Sequence, residues 1–249
     1  MSNQDTANRF TFEISLSILN HLGRNLYRSF ATVLGEAISN AWDADASNVH
    51  IEIAPNRKSF LIKDDGIGMS AYDFQNKFLR IGYSKRKESK VSPKGRPYIG
   101  RKGIGKLALL SCAEKISVVS KQLGADYVGG TIDNAGLDDA ITRDLAVGEY
   151  PLGHCSLGAF DEHTKGHRQG TIIRFQNIHD GIRNSLKFLK TTVALYFRFS
   201  LIDPDFRMFI NGEEITHECL KDLASKTEFL WKVNTLEDPY MKALSQVAR

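Results

Sequence analysis

The chain has 249 residues, of which 42% are hydrophobic and 25% charged, a balance typical of a folded globular protein. No stretch approaches the roughly 20 apolar residues of a membrane helix, and the polar start lacks the apolar core of a signal peptide. The net charge is +4, but residues 85–106 hold nine basic residues against Glu88 and so contribute +8, which leaves −4 for the rest. Three widely spaced cysteines exclude a CxxC metal site and favour reduced thiols. These features predict a cytoplasmic protein.

The first predicted element is a long amphipathic helix, because apolar residues recur at three- and four-residue spacing between Leu22 and Ala41. Two short β-rich runs follow at 49–53 and 60–63. The Pro55-Asn56 pair between them predicts a hairpin. The second run ends abruptly in Asp and Gly residues.

A second helix is predicted over 70–81, with Ser70 as its N-cap. Charges, prolines and glycines dominate 83–100, which favours a mobile loop over packed structure. A further helix is expected to begin at Gly103, and a strand is expected at 116–119.

The second half of the chain also mixes strand and helix signals. Residues 171–175 alternate as a half-buried strand, and 207–215 predict a hairpin around Asn211-Gly212. No period is evident over 133–168, which we interpret as an insertion, while 216–249 is compatible with a helical extension from a fragment of a longer protein. The predicted fold is therefore α+β, a two-layer α/β sandwich with a mixed, mainly antiparallel sheet covered by helices on one face, over 1–215.

Three polar residues lie along one face of the first predicted helix. Glu36, Asn40 and Asp43 are separated by four and three residues, which places a carboxylate, an amide and a second carboxylate side by side. Three such residues alone are more often a solvated helix face.

The second strand ends in Asp64-Asp65-Gly66-Ile67-Gly68, where the alternate glycines allow the backbone to approach a flat ligand. Asp64 could accept a hydrogen bond from an exocyclic amine. A plain Asp-Gly turn explains the same residues at least as well.

The run from Gly100 to Lys106 is glycine-rich and cationic and precedes a predicted helix, a setting that attracts phosphate. It also satisfies the GxxxxGK spacing of a Walker loop. However, Leu107 stands where such a loop has Ser or Thr, and the proline-containing segment before it cannot be a buried strand.

Together these motifs resemble those of the GHKL superfamily: gyrase, the heat-shock chaperone, histidine kinases and MutL. Residues 36–44 resemble its N-box, Asp64-x-Gly66-x-Gly68 its adenine-binding motif and Gly100-x-x-Gly103-x-Gly105 its second glycine box. Gly170-Thr171 is similar to its last conserved box. The resemblance covers about residues 20–200 and implies the Bergerat ATP-binding fold.

The resemblance implies a role for each matched residue. Glu36 would activate the attacking water, Asn40 would coordinate Mg²⁺ and Asp64 would bind the adenine amino group. A lid over about 82–106 would close on ATP. The other residues expected at the nucleotide are Asp43, Gly66, Gly68, Met69, Ser84, Lys85, Lys102, Gly103, Ile104, Gly105, Lys106 and Thr171.

Among superfamily members, the Asn40-to-Ser47 segment resembles the MutL and MORC type of N-box most, with chaperones nearly as similar. This implies Mg²⁺-dependent ATP hydrolysis, with lid closure driving homodimerisation or conformational change in a larger protein. Because histidine kinases generally lack a water-activating Glu at the position of Glu36, hydrolysis is favoured over protein phosphorylation.

Two other functions remain open from the sequence. The basic residues between Lys85 and Arg96 could bind nucleic-acid phosphates directly, with nucleotide binding only regulatory. A degenerate member that binds nucleotide for structure alone is disfavoured by the presence of both Glu36 and Asn40. The biological process (repair, DNA remodelling, phage defence or chaperoning) is not encoded in these motifs.

Overall fold

The computed structural model describes residues 30–80, 89–100, 109, 112–134, 152–178, 181–229 and 241. Seven strands in these residues form one sheet with the order β4-β3-β5-β2-β1-β6-β7. Among the described strands, β1 and β6 are parallel and all other neighbours are antiparallel. The strands are β1 (Asn48–Ile53), β2 (Ser59–Asp64), β3 (Ala113–Lys121), β4 (Val128–Asp133), β5 (Gly170–Ile178), β6 (Arg207–Ile210) and β7 (Glu213–Glu214).

The described helices are mostly short, and two of them exceed ten residues. They are α1 (Phe30–Asp43), α2 (Ala71–Asp73), α3 (Asp161–Thr164), α4 (Leu186–Tyr196) and α5 (Lys221–Ala224). α2 continues directly into a π-helical turn, Phe74–Phe78. Single 3₁₀ turns lie at Leu157–Phe160, Ser200–Ile202 and His217–Leu220. In the part of the chain that the structure describes, no helix is both long and apolar enough to cross a bilayer.

The main hydrophobic core lies between the sheet and the pair of long helices. Val33, Leu34 and Ile38 of α1 are fully buried, as is Leu189 of α4. They belong to the same apolar cluster as the alternate residues of the central strands, for example Ile62 and Phe175. The α+β sandwich with a mainly antiparallel sheet is therefore confirmed.

Both predicted hairpins are present. β1 pairs with β2 in the register Ile51 to Ile62. β6 and β7 are joined by Asn211 and Gly212, both with positive φ, the backbone that a tight type I′ turn requires. The predicted strand at 116–119 lies within β3, and that at 171–175 lies within β5.

The helix predicted over 70–81 begins where the sequence indicates. The Ser70 hydroxyl accepts from the Asp73 backbone N–H at 3.1 Å, and the Asp73 carboxylate accepts from the Ser70 N–H, which forms a capping box. The helix is shorter than predicted, since α2 gives way to the π-helical turn at Phe74 and the described segment ends at residue 80.

The opposite face of the sheet carries a second, smaller core. Leu61, Val119 and Ile172 point to this face and pack with Phe160, which is fully buried. Residues 152–168, part of the predicted insertion, therefore cover one end of the sheet rather than forming a detached loop. β4 and α4 were not predicted from the sequence, and β4 includes Asp133, the first residue assigned to the insertion.

Candidate functional site

The last turns of α1 carry the residues expected at the catalytic centre. Glu36 and Asn40 are half-buried and lie one turn apart. Burial and the negative charge of Asp43 raise the pKa of the Glu36 carboxyl above its ordinary value. A carboxylate with a raised pKa accepts a proton more readily, as a general base must.

Asp43 organises the backbone that follows. Its side chain is buried, and its two oxygens accept from the N–H groups of Ile99 at 2.8 Å and Gly100 at 3.2 Å. Gly100 is the first residue of the predicted second glycine box. The end of α1 is thus tied to the start of that box, which gives Asp43 a positioning role in the structure.

Asp64 sits at the point where three motifs meet. Its Oδ1 accepts from the backbone N–H of Gly66 at 2.9 Å and of Thr171 at 3.3 Å. Ile67, three residues after Asp64, donates its backbone N–H to the carbonyl of Ala44 at 2.8 Å. Ala44 directly follows α1. Hydrogen bonds therefore join the adenine motif to both the N-box and the last conserved box.

Gly68 brings this turn against β3. It has a φ of +67°, and a Cβ there would lie 1.8 Å from the carbonyl oxygen of Lys121. Two backbones can approach this closely only if no side chain intervenes.

Gly68→Ala should therefore destabilise the protein severely, since the backbone of β3 or of the turn must move. Gly124→Ala is the matched control, because Gly124 also has a positive φ, +75°, but open space around a Cβ. We expect Gly124→Ala to cost about 1 kcal/mol and Gly68→Ala well above that, about 3 kcal/mol or more. Denaturant unfolding of both variants measures this, and equal midpoints would contradict it.

Ser120 of β3, which the sequence analysis did not single out, hydrogen-bonds the backbone next to the predicted adenine-binding motif. Ser120 is fully buried, donates to the Gly170 carbonyl at 2.9 Å and accepts from the Met69 N–H at 3.0 Å. It also lies 2.9 Å from the Thr171 hydroxyl. Because its single proton is directed at Gly170, Thr171 donates in this pair.

His167 was also missed, and it supports Asp64 from the other side. It is buried, and its Nε2 donates to the Asp64 carbonyl at 2.9 Å. Nδ1 is then the acceptor for the Tyr127 hydroxyl, 2.8 Å away. Burial lowers the pKa of His167, which favours this neutral form. No local pattern indicated this contact, since the two residues are 103 positions apart.

The segment 89–100, predicted as part of a mobile lid, is anchored in the structure. We call it the strap. Its Ser92 hydroxyl donates to the buried Asp45 carboxylate just after α1, and the Lys94 backbone N–H donates to the same carboxylate at 3.1 Å. A bridge between Val91 and Pro97 closes it on itself. The prediction of a mobile loop is therefore wrong for these residues, because their polar groups have partners in the folded chain.

Arg96 is the strongest anchor of the strap. It is buried, donates to the carbonyls of Ala46 at 2.5 Å and Asp205 at 3.0 Å, and lies over the Trp42 ring at 4.7 Å. Its Nε forms an ion pair with Asp203 at 3.3 Å. Arg96 is consequently not available to bind nucleic-acid phosphates, as the alternative interpretation had supposed.

Arg96→Met should cost about 3 kcal/mol of unfolding free energy, because it leaves the buried Ala46 carbonyl, the Asp205 carbonyl and the Asp203 carboxylate without their partner. Arg207→Met is the matched control, since Arg207 makes its bidentate ion pair with Glu214 on the exposed surface. We expect little change in that variant. Urea unfolding compares the two, and a similar midpoint for both would show that Arg96 does not anchor the strap.

Several predicted site residues lie outside the described residues. They are Ser84, Lys85, Lys102, Gly103, Ile104, Gly105 and Lys106. The structure does support the rejection of the Walker loop, since the segment before Gly100 is the strap and not a buried strand.

Comparison with known proteins agrees with this geometry. Residues 27–133 match the family described as histidine kinase-, DNA gyrase B- and HSP90-like ATPase. The match contains α1, the turn at 64–68 and the strap.

Similar proteins include a putative type II restriction enzyme, HgiDII, of Herpetosiphon aurantiacus, which is 31% identical over 96% of this chain and 38% of its own length. The DNA mismatch repair protein MutL of Clostridium botulinum is 28% identical over 86% of this chain and 28% of its own. The chaperone protein HtpG of Oceanobacillus iheyensis is 28% identical over 45% of this chain and 21% of its own.

The chain thus spans well under half the length of each of these relatives. Members of the matched family bind and hydrolyse ATP. On the family match and these likenesses, the chain belongs to the GHKL superfamily and carries its ATPase domain.

Proposed function

We propose that the nucleotide lies between the end of α1, the Asp64 turn and the predicted lid, with Glu36 activating the attacking water. The observation that carries this proposal is the set of hydrogen bonds that join Asp64 to Gly66 and Thr171 and the Ile67 turn to Ala44. These bonds join the segments that carry Glu36, Asn40 and Asp64, which are the proposed base, Mg²⁺ ligand and adenine acceptor. Phosphoryl transfer to water needs this kind of positioning more than it needs a covalent nucleophile.

Asn40 is the proposed protein ligand for Mg²⁺. Its half-buried amide has no hydrogen-bond partner among the described residues, so its oxygen is available. Within the described residues, no cluster of three His, Cys, Asp or Glu side chains could hold a metal alone. This suits Mg²⁺, which commonly takes one or two protein oxygens and completes its shell with phosphates and water. The ion would neutralise phosphate charge.

The larger protein is proposed to be a DNA-directed machine that uses this domain as a nucleotide-controlled clamp. The likeness to a putative restriction enzyme over 96% of the chain, and to a mismatch repair protein over 86%, favours DNA over chaperone clients. Closure on ATP of the part of the predicted lid outside the anchored strap would drive homodimerisation. Three free cysteines fit a reducing, cytoplasmic compartment.

The test is calorimetric titration with a non-hydrolysable ATP analogue, with and without Mg²⁺, followed by sedimentation of the saturated chain. Mg²⁺-dependent binding and a doubling of mass are the expected results. Binding without a change in mass would contradict dimerisation by this domain alone. Absence of binding to a folded chain would contradict the nucleotide site.

A further inference from the structure

A cavity of about 540 Å³ lies on the sheet face opposite α1. The alternation of β1 and β2 explains its position. Val49, Ile51 and Ile62 enter the main core, whereas His50 and Lys63 point to the other face. The cavity is thus separated by the sheet from the face where α1 carries Glu36 and Asn40. Its lining residues include Asn48, His50, Lys63, Lys94, Arg168 and Gln169.

The charged side chains that remain available to a ligand in this cavity are positive. Two carboxylates, Asp64 and Asp65, also border it, but both are engaged by protein donors. Asp65 accepts from the backbone N–H groups of Ser47 and Asn48 and from the Asn48 side chain, each at 2.7 Å. Asp64 accepts from the backbone as described above. The three cations, Lys63, Lys94 and Arg168, therefore dominate what a ligand would meet.

These three cations retain N–H donors that no acceptor among the described residues uses. The Lys63 ammonium donates to the His163 carbonyl at 2.7 Å, and that of Lys94 to the Asp45 carbonyl at 3.0 Å. An ammonium carries three protons, so Lys63 retains further donors for a ligand, and Lys94, which also donates to the Ser47 hydroxyl at 3.4 Å, retains one. Arg168 is exposed and has no hydrogen-bond or ion-pair partner within the described residues. Converging ammonium and guanidinium groups bind phosphate oxygens well.

The aromatic rings near this cavity are already occupied. His50 stacks on Phe209 with ring centroids 4.6 Å apart, and the Tyr127 ring packs against His167 and lies under the Lys121 ammonium. A free base would therefore find little stacking surface here, although stacking contributes strongly to single-strand binding. Charge without stacking favours contact with the phosphodiester backbone of a duplex.

We propose that this cavity binds a backbone phosphate of duplex DNA, with Arg168, Lys63 and Lys94 as the contacting residues. DNA would then lie on the sheet face opposite Glu36 and Asn40 of α1. Lys63 and Arg168 lie outside the predicted lid, and Lys94 belongs to its anchored strap. The contact does not depend on ATP binding.

The test measures binding of a fluorescein-labelled duplex by anisotropy over a range of salt concentrations, without nucleotide. Arg168→Gln and Lys63→Gln are compared with Lys58→Gln, which makes the same charge change at an exposed lysine just before the other end of β2. We expect each cavity variant to bind about tenfold more weakly near physiological salt and to lower the salt slope by about 1, the effect of one lost phosphate contact. The Lys58 variant should retain the wild-type slope.

Thermal unfolding of each variant shows that it is folded, and titration of the ATP analogue shows that its nucleotide site is unchanged. This separates failure of the DNA site from failure of the proposed nucleotide site. A wild-type slope for both cavity variants would overturn the proposal. So would tighter cavity-dependent binding of duplex RNA.

Discussion

Glu36→Gln should reduce ATP turnover by about 10²- to 10⁴-fold while the affinity for a non-hydrolysable ATP analogue stays essentially unchanged. The amide preserves the size and polarity of the side chain but cannot take a proton from water. The measurement is single-turnover hydrolysis with the chain in excess over ATP, which follows the chemical step without product release.

Glu162→Gln is the control for this variant, because it removes the same charge from an exposed residue of α3. It should hydrolyse ATP like the wild type. Equal turnover in the Glu36 and Glu162 variants would remove Glu36 from the mechanism.

The pH dependence of turnover provides a second readout for Glu36. Burial and the Asp43 charge raise its pKa above the ordinary 4.5. Since the base must be unprotonated, the hydrolysis rate should rise with pH through this raised pKa. The midpoint of this acid limb of the pH–rate profile should lie above 4.5. The residual activity of Glu36→Gln should lack that limb. An acid limb that persists in the variant would assign the titration to another group.

Asp64→Ala should weaken binding of the ATP analogue by about 10- to 100-fold, the range expected when one hydrogen-bond acceptor for the ligand is lost. The carboxylate is the proposed acceptor for the adenine amino group, and GTP carries an oxygen at that position. The wild type should therefore prefer ATP to GTP, and the variant should lose this preference. Calorimetric titration with both nucleotides measures the two effects.

The neighbouring carboxylate offers an unusually close control. Asp65 accepts three hydrogen bonds that fix the start of β1, and its side chain is directed away from the Gly66 and Thr171 amides that Asp64 binds. Asp65→Ala should lower the unfolding free energy by about 2 kcal/mol or more. Its folded fraction should nevertheless bind ATP with wild-type affinity. If both Asp variants lose nucleotide affinity equally, Asp64 has no specific role in adenine recognition.

Local elements were predictable wherever the pattern and the turn chemistry agreed. The two hairpins followed from alternating residues on either side of Pro55-Asn56 and of Asn211-Gly212. The Ser70 N-cap followed from the same kind of local signal. These features depend on residues within a few positions of one another, so the sequence contains all the information they need.

β4 was missed because its physical cause is not local. Its Gly129 lies so close to β3 that a Cβ would be 2.0 Å from the Val118 carbonyl oxygen. In the sequence, adjacent glycines lower strand propensity and favour a loop. Only the pairing with β3 explains why glycine is needed in this strand.

The strap was misread for a related reason. Its charges, Pro and Gly indicate a solvated loop when they are considered alone. Arg96 is buried because its partners come from distant parts of the chain, Trp42 and the segment around Asp203. A sequence window cannot show that a cation will find a carboxylate, carbonyls and an aromatic face in the folded protein.

The sequence by itself determined the family and most of the main elements, and it predicted the chemistry of the candidate site, because Glu36, Asn40 and Asp64 each lie within a short motif. The tertiary structure decided what supports these residues. Ser120 and His167 reach the Asp64 turn only because β3, β5 and β2 are adjacent in the sheet. It also decided that a cationic cavity faces away from α1, since the alternation along β1 and β2 sends His50 and Lys63 to the opposite face.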